Sequence, residues 1–262
     1  MPGLQQGQES QLIRSWSWCP SFSPCAGPAQ ACGGTVLSPI WRTQLSVTTD
    51  ERPVTVTTTP AADPAPLGLA GFALATFLLS ASNAGWMKSA TGSAFLGYAF
   101  AYGGLAQFTA GMWEFRNRNV FGATAFGSYG TFWIGLGLWF LLVLPAPAGA
   151  GPAVVAAHAA AATKDLGWIL LAWAIFNTYM LAWSSLANLA VFLVFLTLEA
   201  TEIVLFIGFF GANTNVIKIG GYVGIVTAVV AWYTSAAGVV NGMRGGAPTL
   251  PVGNALWKAR AT

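Results

Sequence analysis

The feature that most constrains this chain is a series of apolar segments, each close to 20 residues long. An α-helix rises 1.5 Å per residue, so a segment of about 20 residues crosses about 30 Å of hydrocarbon. Only 7% of the 262 residues are charged. Soluble domains carry about 25% charged residues, and so few charges cannot cover a water-facing surface. The sequence therefore predicts an all-α integral membrane protein that crosses the lipid bilayer several times.

Six membrane spans are predicted, with boundaries uncertain by several residues. They are Leu67–Trp86, Gly92–Trp113, Phe121–Leu144, Leu166–Leu186, Ala190–Phe210 and Gly220–Asn241. If the amino terminus is cytoplasmic, eight Lys and Arg residues fall on inner segments and three, Lys88, Lys164 and Lys218, on outer loops. Basic residues accumulate on the cytoplasmic side, so this count predicts cytoplasmic termini in a plasma membrane protein.

The segments outside the predicted spans differ in composition. Residues 1–62 contain Cys19, Cys25 and Cys32 among Pro, Ser, Thr and Gly without a helical period, which predicts a disordered amino-terminal tail. Residues 63–244 form the predicted six-helix domain, and residues 245–262 a short carboxy-terminal tail. A second irregular stretch, Pro145 to Thr163, is rich in Ala, Pro and Gly and is expected to be a loop between two three-helix halves.

Two glutamates, Glu199 and Glu202, interrupt the apolar stretch Ala190–Phe210. An ionised carboxylate at this depth costs about 2.5–3.5 kcal/mol, so the pair must be protonated, partnered or facing a polar cavity. Their spacing of three residues places both on one helical face. We expect them to carry a proton along a pathway. The alternative is a structural pair satisfied by Thr197, Thr201 or facing helices.

The first span opens with Asp63-Pro64-Ala65-Pro66-Leu67. Asp is a good N-cap and proline is tolerated at the first helical position, so Asp63 is expected to cap a helix that starts at Pro64. Ala65 and Leu67 would then keep free N–H groups at the positive end of the helix dipole, where a small anion can bind. The alternative is a plain helix start.

Composition argues against two other classes of function. The net charge of +3 is spread along the chain without a basic run, so no nucleic-acid partner is expected. An enzyme would need a clustered acid, base, nucleophile or metal site. The single histidine, His158, lies in the Ala/Pro stretch and no cysteine follows Cys32. We therefore expect no enzymatic activity, no metal and no cofactor.

Three blocks resemble the acetate uptake transporter family (AceTr). They are Asp63-Pro-Ala-Pro-Leu-Gly-Leu-Ala-Gly-Phe72, residues 102–114 (YGGLAQFTAGMWE) and residues 121–133 (FGATAFGSYGTFW). This family includes the bacterial succinate–acetate permease and yeast acetate and ammonia-export proteins. The resemblance runs from about Asp63 to about Arg244. One departure is Asp63, where the family has Asn; an ionised Asp63 would repel an anion at the helix start.

The resemblance implies six transmembrane helices per subunit, a homo-hexamer with a pathway through each protomer, and movement of acetate or succinate coupled to protons. A passive anion channel or an ammonium/acetate exporter of the same fold is the alternative. The family's hydrophobic constriction maps onto Phe72, Tyr129 and Leu196, with a shift of two residues open for the last. Charged acetate must shed water at such a constriction, where the Tyr129 hydroxyl is expected to hydrogen-bond its carboxylate. Gln107 either binds the solute or ties two helices together.

Overall fold

The structure is a computed structural model that describes residues 61–87 and 94–257. The predicted amino-terminal tail, with its three cysteines, lies outside the described residues except for its last two positions. Residues 88–93 and 258–262 lie outside as well, and with them Lys88 and the last two basic residues of the chain.

All regular structure in the described ranges is helical. The elements are α1 Ala65–Asn83, α2 Leu96–Tyr98, a π-helical stretch Ala99–Ala106, α3 Gln107–Arg116, α4 Val120–Leu142, α5 Pro152–Ser184, α6 Leu189–Phe210 and α7 Thr214–Met243. Five of them, α1 and α4 to α7, are long and apolar enough to span a membrane. The predicted all-α membrane fold is confirmed. The second of the six predicted spans is a composite, in which α2, the π-helical stretch and α3 follow one another without a break.

The prediction of a loop from Pro145 to Thr163 is wrong over most of this range, because α5 begins at Pro152. Gly151 precedes this proline, whose fixed backbone angle suits the first helical position. The alanines that follow are the strongest helix formers. The Ala, Pro and Gly composition therefore marks a helix start as well as a short connection. His158 lies on this part of α5, partly buried, with Nε2 2.8 Å from the carbonyl oxygen of Val143.

Three asparagines set where later helices begin. Asn119, Asn188 and Asn213 precede α4, α6 and α7, and each side-chain oxygen accepts a hydrogen bond from a backbone N–H of the first turn. This interaction satisfies a donor that has no partner within the helix. The connections stay short as a result, and consecutive helices run antiparallel.

Helices α1 and α4 run in the same direction. Gly68 packs against Phe126 near the start of both helices, and Phe72 meets Tyr129 about one turn further along. We call the end of the bundle where α1 begins the proximal end and the end where it stops, at Asn83, the distal end.

Helix α7 runs the opposite way between α1 and α6. The Ser235 hydroxyl donates to the carbonyl oxygen of Pro66 at the proximal end (2.7 Å), and Gly221 lies against Asn83 at the distal end. Gly220 of α7 also packs against Leu205 of α6. Because α1 and α6 are both antiparallel to α7, they are parallel to each other, so α1, α4 and α6 all run from the proximal to the distal end.

The buried apolar residues form two clusters along these helices. The proximal cluster is centred on Leu69, Phe72, Phe126, Tyr129, Phe195 and Leu198. The distal cluster is centred on Ala75, Phe95, Trp133, Leu136, Leu170 and Leu205. Each of α1, α4 and α6 contributes first to the proximal and then to the distal cluster.

Glycines let the helices approach closely. At Gly130 of α4, a Cβ would lie 2.6 Å from the backbone nitrogen of Phe108 in α3. A main-chain atom at this distance cannot move aside like a flexible side chain. At Gly135 of the same helix, a Cβ would meet no atom within 4 Å. In lipid, where hydrophobic burial does not drive helix association, such contacts contribute much of the packing.

Replacing Gly130 with Ala should therefore destabilise the protein by about 1–3 kcal/mol, the usual range for overpacking a well-packed contact. Gly135→Ala makes the same chemical change in the same helix. This change should be neutral or should stabilise the protein by up to about 1 kcal/mol, because Ala has a higher helix propensity than Gly. Thermal unfolding of the purified proteins in detergent measures both, and equal melting temperatures for the two variants would contradict the close α3–α4 contact.

Candidate functional site

Phe72 of α1 and Tyr129 of α4 meet in the proximal cluster. Both side chains are buried, and their rings lie edge to face with centroids 5.8 Å apart. Four more aromatic rings have centroids within 6.5 Å of the Tyr129 ring: Phe132, Trp173, Phe176 and Phe195. The structure thus brings together two of the three predicted constriction residues in a dry, aromatic setting.

The third predicted constriction residue, Leu196, does not join them. Its side chain is 42% exposed, whereas Phe195 and Leu198 are buried in the cluster that holds Phe72 and Tyr129. Two residues correspond to about 200° around a helix, so Leu196 and Leu198 point to nearly opposite sides of α6. The Leu196 prediction is wrong, and the open shift of two residues leads to Leu198. We call Phe72, Tyr129 and Leu198 the gate.

A buried hydrogen-bond chain runs from the gate to α6 through Asn177 of α5. The Tyr129 hydroxyl donates to Asn177 Oδ1 (2.9 Å). Asn177 Nδ2 donates to the carbonyl oxygen of Phe195 (3.0 Å) and to Glu199 Oε2 (2.7 Å). Because both amide hydrogens face acceptors, Oδ1 must face Tyr129. The single proton of the Tyr129 hydroxyl is therefore used within the protein.

This arrangement changes the role expected of Tyr129. A carboxylate only accepts hydrogen bonds, so it needs a donor. The one donor of the Tyr129 hydroxyl points to Asn177. In this geometry Tyr129 contributes an apolar ring to the gate, and its hydroxyl links α4 to α5 instead of holding a solute carboxylate as expected from the sequence.

Glu199 is partnered by the facing helix and not by its own neighbours. Thr178 Oγ1 lies 2.9 Å from Glu199 Oε1 and 2.8 Å from the carbonyl oxygen of Ala174. The Thr197 and Thr201 hydroxyls instead bond back to carbonyl oxygens of α6. Glu199 therefore finds its partners on a facing helix, as one alternative from the sequence predicted. Its neighbours Thr197 and Thr201 donate no hydrogen bond to it.

The Thr178 geometry accommodates both protonation states of Glu199. One hydroxyl proton cannot serve two acceptors at once. If Glu199 carries a proton on Oε1, it donates to Thr178, whose hydroxyl then donates to Ala174. If Glu199 is ionised, Thr178 donates to the carboxylate, and the Ala174 carbonyl keeps its backbone hydrogen bond within α5.

Glu202 has a different environment from Glu199. Its side chain is buried, 4% exposed, and Oε2 has no hydrogen-bond partner in the described part of the chain. It lies one turn beyond Leu198, where α6 leaves the proximal cluster and approaches the distal one. An ionised carboxylate without partners is strongly unfavourable in such a place. The two glutamates predicted as a pair therefore differ in how they are satisfied.

Gln107 begins α3 beside the gate. It is buried, and its Cβ lies close to Gly71, the residue before Phe72. Within residues 61–87 and 94–257, Oε1 of Gln107 finds no donor. The expectation that Gln107 lies near the pathway agrees with this position, whereas its amide oxygen makes no helix-to-helix tie.

The predicted anion site at the start of α1 is wrong. The Ala65 N–H donates to Asp63 Oδ1 (2.9 Å), and the Leu67 N–H donates to the carbonyl oxygen of Pro64 (3.1 Å). The helix begins at Ala65 with Pro64 in the N-cap position, one residue later than expected. The exposed Asp63 carboxylate thus occupies the place that an anion would need, and neither N–H is free.

The sequence model of the GPR1/FUN34/yaaH family matches residues 47–245 of this chain, well over half of its length. The chain belongs to this family. The resemblance to acetate uptake transporters is thereby confirmed.

Named relatives of the GPR1/FUN34/yaaH family extend the comparison. The chain is 40% identical to Acetate permease A of Emericella nidulans over 189 residues, which cover 69% of this chain and 62% of that protein. It is 33% identical to Succinate-acetate/proton symporter SatP of Escherichia coli (strain K12) over 195 residues, 74% of this chain and 97% of that one. The chain spans 62% of the length of Acetate permease A and of two Saccharomyces cerevisiae relatives.

A solved structure of the bacterial acetate channel SatP shares this fold. The two match with a TM-score of 0.63 at 31% sequence identity, over 74% of this chain and 99% of the SatP chain. The GPR1/FUN34/yaaH fold therefore accounts for the helix arrangement around the gate.

Sequence reasoning missed several buried polar residues of this family member. Glu114, the last residue of the block 102–114, is buried beside Gly122, and its Oε1 has no partner among the described residues. Thr76 and Trp133 were not singled out, because a threonine or tryptophan in a span is ordinary. Only the three-dimensional contacts show that their polar atoms lack partners. Among the described residues, no group of three or more His, Cys, Asp or Glu is arranged to hold a metal ion.

Replacing Asn177 with Leu should lower the free energy of unfolding by about 1–3 kcal/mol, because Tyr129 and Glu199 both lose a buried partner. Thr234→Val is a matched control, since the buried Thr234 hydroxyl bonds only to the carbonyl of its own helix at Val230. Thermal unfolding in detergent should separate the two variants clearly. Equal shifts in melting temperature would mean that the hydrogen bonds of Asn177 contribute no more to stability than one hydroxyl bonded within its own helix.

Proposed function

We propose that this chain transports acetate and related small carboxylates, succinate included, across a cell membrane together with a proton. The observation that carries the proposal is the gate, a buried aromatic constriction connected by hydrogen bonds to a membrane-embedded carboxyl group. Membership of the GPR1/FUN34/yaaH family supports it, as do the names of Acetate permease A and the SatP symporter.

The gate selects by dehydration and size. Phe72, Tyr129 and Leu198 present apolar surface, and the Tyr129 hydroxyl is held by Asn177. A solute passing between these side chains gains no hydrogen bond there, so it must lose most of its water. A solute with one carboxyl group and a short apolar body loses the least hydration, which favours acetate over larger or more polar acids.

Two glutamates supply the proposed proton. Glu199 can be hydrogen-bonded fully in either charge state, as expected of a group that takes up and releases a proton in place. Glu202 is buried without a partner for Oε2, which favours its neutral form. A proton on these residues lets a carboxylate approach without meeting two negative charges, which couples solute movement to proton movement.

The assembly and its placement are also proposals. The family resemblance supports a homo-hexamer with one pathway per protomer. The distribution of Lys and Arg supports a plasma membrane protein with both termini in the cytoplasm. Large apolar side chains are exposed along α4 to α7, as expected of surfaces that face lipid or neighbouring subunits. Because transport accounts for the buried polar groups, we propose no catalytic role and no cofactor.

Uptake of labelled acetate into proteoliposomes, with and without an imposed pH gradient, tests the proposal. Accumulation above equilibrium on the gradient is the expected result. If acetate instead reaches the same concentration on both sides whether or not the pH gradient is present, the protein is a passive channel and not a coupled transporter. Liposomes with the protein that take up acetate no faster than empty ones would overturn a transport role for this solute.

Tyr129→Ala should relax selection at the gate. Removing the ring shortens the apolar constriction, so longer carboxylates such as butyrate should gain at least about threefold in rate relative to acetate. The comparison uses paired uptake of the two labelled acids. Tyr222→Ala, which removes a half-exposed ring at the distal end, should leave the ratio unchanged. An unaltered ratio in an assembled Tyr129 variant would place the constriction elsewhere.

A further inference from the structure

Three parallel helices repeat one pattern beyond the gate. Each carries an apolar gate residue, then a polar residue four positions later, then a leucine after three more. The sets are Phe72, Thr76 and Leu79 in α1, Tyr129, Trp133 and Leu136 in α4, and Leu198, Glu202 and Leu205 in α6. Steps of four and seven residues return to the same helical face. Because all three helices run toward the distal end, the three polar residues form one layer, which we call the polar layer.

The polar layer lies between the gate and a cavity. The leucines that follow it, Leu79, Leu136 and Leu205, line a cavity of about 210 Å³ at the distal side. On the other side, Phe72, Tyr129 and Leu198 belong to the proximal cluster. A route from the cavity to the gate along these three helices therefore crosses the level of the polar layer.

The polar atoms of this layer are buried and unused. Thr76, Trp133 and Glu202 are 6%, 2% and 4% exposed, and Thr76 Oγ1, Trp133 Nε1 and Glu202 Oε2 have no hydrogen-bond partner within the described ranges. Thr76 is notable because Thr201 and Thr234, also in helices, bond back to their own carbonyls. A buried polar group without a partner costs about 1–3 kcal/mol. Three of them in one layer point to a ligand.

We propose that the polar layer binds the carboxylate of the transported solute, held by the Thr76 hydroxyl, the Trp133 N–H and a protonated Glu202. This inference rests on the proposed transport function and assigns it a binding position. Tryptophan N–H is a donor only, and a threonine hydroxyl and a protonated carboxyl each supply one more. Three donors at one level of the bundle suit an anion with two oxygens, whereas an ionised Glu202 would repel it.

Glu202 then gives its proton to the solute. The O–H bond of the Glu202 carboxyl breaks, a new O–H bond forms on the solute, and the products are an ionised Glu202 and a neutral carboxylic acid. No other reactant is needed. A neutral acid loses less hydration energy than an anion, so it passes the gate more readily. A proton from the aqueous phase, entering on the side of lower pH, restores the Glu202 carboxyl before the next cycle.

The charge balance of the layer depends on few groups. Glu199 on the same helix and Tyr129 in α4 are the titratable groups that lie near Glu202 in the described ranges. Helix α1 contains no ionisable residue, and in α7 the charged residue is Lys218, at the distal start of the helix. Because neither α1 nor α7 places a cation beside Glu202 to stabilise its ionised form, Glu202 carries its proton until the solute carboxylate binds.

Exchange of labelled acetate across proteoliposomes tests the two fixed donors. Thr76→Val and Trp133→Phe remove a donor with little change of shape, and each should raise the apparent KM roughly tenfold, the effect of one charge-assisted hydrogen bond. Thr76→Ser should restore the wild-type KM. Thr234→Val and Trp168→Phe make the same changes at an intrahelical hydroxyl and an exposed ring, so they should leave the KM unchanged.

Glu202→Gln separates binding from proton transfer. The glutamine amide still donates a hydrogen bond but carries no transferable proton, so the apparent KM for exchange should stay within about threefold of wild type while accumulation on a pH gradient is lost. Infrared difference spectra of the full-length protein with ¹³C-labelled acetate give a second readout. Wild type should lose a carboxylic-acid C=O band of the protein as the labelled acid appears, and Glu202→Gln should show neither change.

The outcomes distinguish this proposal from the proposed function. If wild type exchanges acetate but Thr76→Val and Trp133→Phe behave like their controls, the polar layer is not the binding position, although transport stands. If Glu202→Gln still accumulates acetate on a gradient, the proton-transfer step is overturned. If wild type neither exchanges acetate nor changes its infrared spectrum on acetate addition, both proposals fail together.

Discussion

Hydrocarbon offers no hydrogen-bond partners, so a polar group buried in this bundle must find one inside the protein. Asn177 meets this constraint for three helices at once, since its amide joins Tyr129 of α4 to Glu199 and the Phe195 carbonyl of α6. The gate depends on this connection. With its hydroxyl bound, the Tyr129 ring has a fixed orientation against Phe72.

The same constraint makes the buried polar groups without a hydrogen-bond partner informative. Glu199 has partners in either charge state, whereas Glu202, Thr76 and Trp133 present polar atoms without partners one turn beyond the gate. A transport pathway needs both kinds of site. In the proposed mechanism, satisfied groups hold the helices in place, and the unsatisfied ones gain their hydrogen bonds only when a solute is present, so that binding is favourable but reversible.

Close packing sets the positions of all these side chains. Gly130 brings α4 into near backbone contact with α3, and Gly221 does the same for α7 and the distal end of α1. The parallel run of α1, α4 and α6 aligns their four-residue and seven-residue steps. The order of gate, polar layer and cavity is then a consequence of helix geometry. A larger side chain at such a glycine would shift one helix and so misalign the layer on all three.

The sequence by itself determined the membrane setting, the all-α fold and the family, because hydropathy, helix length and motifs are local properties. It also singled out Phe72, Tyr129 and the two glutamates as candidate site residues. It misjudged the start of α5 and of α1, since proline fits both a loop and a first helical turn. Only the tertiary structure decided that Leu198 and not Leu196 packs with Phe72 and Tyr129, that the Tyr129 hydroxyl donates to Asn177, and that Glu199 is partnered while Glu202 Oε2 has no partner among the described residues. Each of these depends on which helix faces which, and contacts between residues far apart in the chain leave no local pattern to detect.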